Sequence, residues 1–106
     1  MSDFILYQQM LPAPELIQAM TGSSVLIGTL LHTPVKLVLD NQSTTSVVLS
    51  ISVDGGTTLI QWKTFVGGEV MVLDNDLYTF PNGTKFYGNG TANGNFSISY
   101  TYINNF

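Results

Sequence analysis

A chain of 106 residues is sized for a single domain, and with no cysteine it has no thiolate for a disulfide or a zinc site. Lys36, Lys63 and Lys85 face seven acidic residues, arginine is absent, and the net charge is −4. That balance argues against a nucleic-acid partner, since gripping a phosphate backbone depends on clustered Lys and Arg.

The start, Met1-Ser2-Asp3-Phe4-Ile5-Leu6-Tyr7, lacks the basic end and small-residue cleavage site of a signal peptide. No run approaches the ~18 apolar residues of a membrane span. The expectation is a protein made in the cytoplasm without a secretion signal and with no membrane partner. Residues 1–24 differ in character from the rest and read as an arm. Pro12-Ala13-Pro14 favours extended backbone before each proline. Pro14 is then placed to open a short helical turn over 15–20, with Leu16, Ile17 and Met20 on one side, ended by Thr21-Gly22-Ser23-Ser24. The arm either packs on its own domain or lies on a neighbouring subunit. Phe4, Ile5, Leu6, Tyr7, Met10 and Leu11 are its candidate inter-subunit contacts.

Residues 25–106 read as the main domain, with about eight strands set by alternation and turn signals. Residues 25–31 form the first, Gly28 marking a bulge or a close approach. His32-Thr33-Pro34 turns the chain, and Val35, Leu37 and Leu39 face inward on the next strand. Val47, Leu49, Ile51 and Val53 share one face of the clearest run, and Asp54-Gly55-Gly56 supplies positive φ angles for a tight hairpin. Over 58–65, Ile60 and Trp62 fall on one face, with Leu59, Gln61, Lys63 and Phe65 on the other. Gly67-Gly68 leads into 69–73, and Asp74-Asn75-Asp76 leads out. Residues 77–80 form a short strand before the Pro81-Asn82-Gly83-Thr84 turn. Lys85-Phe86-Tyr87 precedes a loose Gly/Asn loop, and 95–103 closes the domain with Phe96, Ile98, Tyr100 and Tyr102 on one face. Such spacing predicts an all-β fold, a small antiparallel β-sandwich of jelly-roll type.

Little material for catalysis accompanies these strands. There is one histidine, no cysteine and no Gly-x-Ser-x-Gly elbow, so no acyl-transfer triad is expected. Asp74 and Asp76 suit a strand-to-strand turn; a cation or an acid–base pair needs further oxygens or partners. Gly67-Gly68 and Gly88-Asn89-Gly90 carry no P-loop lysine. The Asn-x-Ser/Thr triplets at Asn41, Asn82, Asn89 and Asn95 follow from a composition rich in those residues. No enzyme activity, cofactor or metal is expected. Trp62, with Tyr78, Phe80, Phe86, Tyr87, Tyr100 and Tyr102, suits either the core or a sugar-stacking platform.

The succession Leu39-Asp40-Asn41, a polar turn, 47–53, Asp54-Gly55-Gly56-Thr57, Gly67-Gly68-Glu69, 70–73 and Phe80-Pro81-Asn82-Gly83-Thr84 resembles small β-sandwich virion proteins of tailed bacteriophages. The resemblance spans residues 35–103 and is carried by turn chemistry and alternation. It implies a non-enzymatic capsid decoration or cement subunit on the capsid exterior, or an accessory component at the head-tail region. The implied partners are the major capsid protein, other virion proteins and further copies of the chain, a trimer among the possible forms. The alternative is a carbohydrate- or receptor-binding module of a tail or fibre, with Trp62 as the stacking residue, or a neck or tail adaptor.

Overall fold

The computed structural model describes residues 9–74 and 80–104 of the chain. Among them are nine strands and no helix: β1 (Gln9–Pro12), β2 (Leu16–Ala19), β3 (Val25–Thr29), β4 (Lys36–Asn41), β5 (Val47–Ser52), β6 (Ile60–Phe65), β7 (Val70–Leu73), β8 (Lys85–Gly90) and β9 (Asn95–Asn104). They make two antiparallel sheets. The first runs β1-β9-β4-β7, with β2 following β1 along the same side of β9; the second runs β3-β8-β5-β6.

Alternation sets the buried faces. Leu37 and Leu39 on β4 lie beside Phe96, Ile98 and Tyr100 on β9, while Val47, Leu49, Phe65 and Phe86 come from the second sheet. Met20, Leu30 and Phe80 fill in from the connections. The sheets meet through aromatic edges: Phe65 stands at 85° to Phe96 with ring centroids 5.1 Å apart. Two antiparallel sheets packed over one apolar core form a β-sandwich.

The first departure from the sequence reading lies at the start. The expected helical turn over 15–20 is strand β2, paired with β9 through Leu16↔Ile98 and Gln18↔Phe96. A single turn of helix is too short to be stable alone, and the free edge of β9 offers hydrogen bonds that it would forgo. From Gln9 onward the segment expected as an arm belongs to the first sheet, so that sheet crosses the expected boundary at residue 24. Residues 1–8 lie outside the described residues.

Two further corrections concern register. The β5–β6 pairing slips between Leu49↔Lys63 and Ser50↔Gln61, leaving Trp62 as an extra residue on β6. This bulge resets the alternation, so Trp62 and Phe65 both pack toward the core instead of lying on opposite faces. Val53, expected inside, lies past the end of β5 and is exposed. Gly28, by contrast, fits its expected role. The β3–β8 register shifts between Leu26 and Gly28, and a Cβ on Gly28 would sit 2.8 Å from the Leu16 side chain.

Residues 53–59 form a folded loop instead of a tight hairpin, although Gly55 and Gly56 do have φ of 77° and 96°. The Ser52 hydroxyl donates to Asp54 Oδ1 at 2.7 Å and accepts from the Gly56 N–H at 2.9 Å; the Thr58 N–H donates to Asp54 at 2.9 Å. The Thr58 N–H, followed by the Ser52 hydroxyl, holds the Asp54 carboxyl down at about 2. Glu69 is also lowered, first by the Val66 N–H and then by Lys63, whose ammonium lies 3.2 Å away. Carboxylates depressed in the folded state stabilise it above their ordinary pKa, and that contribution fades as pH falls toward the folded value. The 53–59 loop is therefore expected to loosen as pH falls from about 4 toward 2, and the contribution of Glu69 to fade as pH falls below the ordinary glutamate range. Carboxyl-carbon NMR should give Asp54 a midpoint near 2. Asp54→Asn should flatten the acid limb of a denaturant–pH series.

Candidate functional site

The outward face of the first sheet gathers the features most suited to an interaction. Strand pairing places Met10 opposite Ile103, Ile17 opposite Ser97, Val72 opposite Val38 and Val70 opposite Asp40. All of these side chains point away from the core, because the residues next to them along the strands, Leu16, Met71, Leu73 and Tyr102, point in. Met10, Ile17, Val70, Val72 and Ile103 are 55%, 47%, 55%, 52% and 36% exposed, so the face shows apolar surface to solvent. Between them runs a strip of small hydroxyls, Ser97, Ser99 and Thr101 on β9.

A shallow groove of about 240 Å³ crosses this strip, lined by Pro12, Ala13, Lys36, Val38, Ser99, Tyr100 and Thr101. Its small residues make the depression, and Lys36 is the cation at its rim. Thr101 Oγ1 is buried without a hydrogen-bond partner among the described residues. Ser97, almost fully buried, donates its hydroxyl to Glu15 Oε2, tying the bend between β1 and β2 down onto β9.

The sequence candidates are scattered across the molecule. Met10 lies on this outer face, and Leu11 is half-buried on the inward side opposite Tyr102. Phe4, Ile5, Leu6 and Tyr7 lie outside the described residues. Trp62 is on the other sheet, half-buried and edge-on to Phe80 at 5.3 Å, packed against the core. Phe80, Phe86 and Tyr100 are core residues. The Tyr100 hydroxyl accepts from the Leu31 N–H at 3.0 Å, and His32 stacks on Tyr102 at 3.7 Å. Asp74 is exposed, and its expected companion Asp76 lies outside the described residues.

Ile17, Val70, Val72 and Ile103 escaped the sequence reading as an interaction surface. The signal was present: Val70-Met71-Val72-Leu73 and Leu37-Val38-Leu39 are apolar in both phases of the alternation. Such runs belong to strands covered on both faces.

No protein-family model matches the chain, and no curated protein matches it either. Among solved structures, the chain is similar to one from Bacillus endospore appendages, described as a novel family of disulfide-linked pili. The TM-score is 0.53 at 12% identity, over 92% of this chain and 91% of that one. At that identity the likeness speaks for the fold alone. The present sequence, lacking cysteine, has no means of making disulfide links.

Proposed function

We propose that the chain is a non-enzymatic structural subunit of a tailed-phage virion, a capsid decoration or cement protein that docks on the major capsid protein. One observation carries this reading: Met10, Ile17, Val70, Val72 and Ile103 show apolar surface on a single sheet face around uncharged hydroxyls. A rigid sheet presenting such a face loses little conformational entropy on docking, and burying its apolar area supplies the driving force. The phage assignment rests on the turn succession over residues 35–103. The strand orders β1/β2-β9-β4-β7 and β3-β8-β5-β6 support a jelly-roll description, since the chain passes between the sheets as in a double Greek key. A second reading, a subunit of an extended appendage, is favoured by the fold shared with the endospore structure over 92% of the chain. In either case the subunits, lacking cysteine, are joined without disulfides.

Cosedimentation with shells of the phage that encodes the chain, stripped of decoration, tests the first reading. The wild-type chain should pellet with them. Ile17→Glu and Ile103→Glu, each placing a charge on the exposed face, should weaken binding about tenfold or more with the β-sheet circular dichroism unchanged. A chain that does not pellet at up to about 100 μM, weaker than any useful docking, would refute the assignment to shells. Pelleting that ignores both substitutions would refute the outer face as the docking surface.

A further inference from the structure

Among the described residues the sandwich has four lateral edges, β1/β2 and β7 on the first sheet and β3 and β6 on the second. An exposed edge is a template for a foreign strand unless something interrupts it. Three of these edges are interrupted. Along β1/β2, Pro12 falls at a position where the backbone faces away from β9, since the neighbouring Ala13 N–H bonds Tyr100 O at 2.9 Å. The edge therefore lacks an N–H at Pro12, and the pairing register shifts between β1 and β2, around Pro14. On β3 the register breaks between Leu26 and Gly28. On β6 the bulge at Trp62 and the charged Lys63 do the same.

The β7 edge carries none of these devices. Val70-Met71-Val72-Leu73 holds no proline, no charge and no bulge, and its register with β4 is unbroken from Asp40↔Val70 to Leu37↔Leu73. The Asn41 N–H bonds Glu69 O at 2.9 Å, so Glu69, Met71 and Leu73 direct their backbone groups to β4. Val70 and Val72 direct theirs outward, and their side chains stand on the exposed face.

We infer that β7 pairs with β7 of a second copy of this chain, antiparallel about a twofold axis through Met71. The occupant follows from the edges themselves. A head-to-tail contact needs a second uninterrupted edge, and the described residues offer none, whereas a twofold contact uses the same edge twice. The register follows as well. Only with Val70 opposite the partner's Val72 do the outward N–H and C=O groups of both residues find partners in both copies. That register keeps like faces together and sets Met71 opposite its own counterpart. It extends the row of Val38 and Val72 onto the next molecule, so two docking faces merge into one. β7 itself carries no charge, while each copy has a net charge of −4, so pairing tightens as salt screens the repulsion between whole subunits. This inference rests on the assembly reading and names one partner of that surface.

Sedimentation velocity on the wild-type chain, up to about 1 mM where a weak dimer is populated, tests it. A dimer should form with rising concentration and salt. Val72→Pro deletes an N–H that serves no bond within the sandwich, so it should weaken the dimer about tenfold or more while the circular dichroism persists. Val70→Lys, at an exposed side chain, should do the same if the proline disturbs folding. Oxidised Met71→Cys should cross-link into a dimer, and Val70→Cys should not, because only residue 71 faces itself. A chain that stays monomeric overturns the pairing, and so does a dimer indifferent to Val72→Pro and Val70→Lys. Cosedimentation with shells by a strictly monomeric chain would overturn β7 pairing while leaving the docking role standing.

Discussion

Phe96→Ala is expected to cost about 4 kcal/mol of folding stability, among the largest effects available to a single substitution here. Phe96 is fully buried near the start of β9, the strand between β2 and β4, with Asn41 beside it on β4 and Gln18 on β2. Its ring meets Phe65 of the opposite sheet at 5.1 Å and 85°, an edge-to-face contact that joins the two layers. Truncation removes the apolar area of the ring and leaves a cavity between sheets that are hydrogen-bonded on both sides and collapse poorly. For a domain of this size the melting temperature should fall by about 20 °C. Thermal and denaturant unfolding of wild type and variant measure it directly. A loss below about 1 kcal/mol would mean that the layers are not held together at this contact.

Asn41→Ala should cost about 3 kcal/mol, although it deletes only a small polar side chain. Asn41 is fully buried at the end of β4, where the chain turns toward β5. Its amide nitrogen lies 3.0, 3.1 and 2.9 Å from the carbonyl oxygens of Thr45, Phe65 and Val66, and its Oδ1 accepts from the Ser43 N–H and hydroxyl. One side chain thus ties the β4–β5 turn to the far end of β6. Alanine leaves the buried Ser43 N–H without its acceptor and takes one donor from each of those carbonyls, of which Thr45 O keeps the Ser43 hydroxyl and Val66 O the Glu69 N–H. Gly67 packs closely on the same turn, where a Cβ would lie 2.5 Å from the Thr44 carbonyl oxygen. Asn41→Asp should be at least as damaging, since a carboxylate offers no N–H and brings a buried charge. Unfolding of the single variants and of Asn41→Ala combined with Phe96→Ala should show coupling of about 0.5 kcal/mol or more, because the two residues are strand neighbours and both contact Phe65.

Much of this architecture was legible in the chain. Leu37 and Leu39, Val47 and Leu49, and Phe96, Ile98 and Tyr100 all face inward as alternation requires. The turns at Gly55-Gly56, Gly68 and Gly83 fall where positive φ was expected or permitted. Other features were hidden for identifiable reasons. Residues 16–20 hold Leu16, Ile17 and Met20, which fit a helical face as well as a strand, and the free edge of β9 resolves the ambiguity. Trp62 and Phe65 are three apart, a spacing that strict alternation puts on opposite faces; the bulge that unites them depends on pairing with β5. Asn41 stands in the chain only as the residue before a polar turn, since its partners at Phe65 and Val66 are more than twenty positions away.

The amino-acid order was enough to establish an all-strand sandwich and most of its inward side chains, because side-chain alternation is a local property with a period of two. It was also enough to show a chain poor in charge and in reactive groups. Which strands lie at the edges, which edge is left uninterrupted, and that Met10, Ile17, Val70, Val72 and Ile103 share one exposed face emerged only on folding. Those properties depend on partners distant along the chain: an edge is defined by the neighbour a strand lacks, and a surface by which strands β9 and β4 draw together.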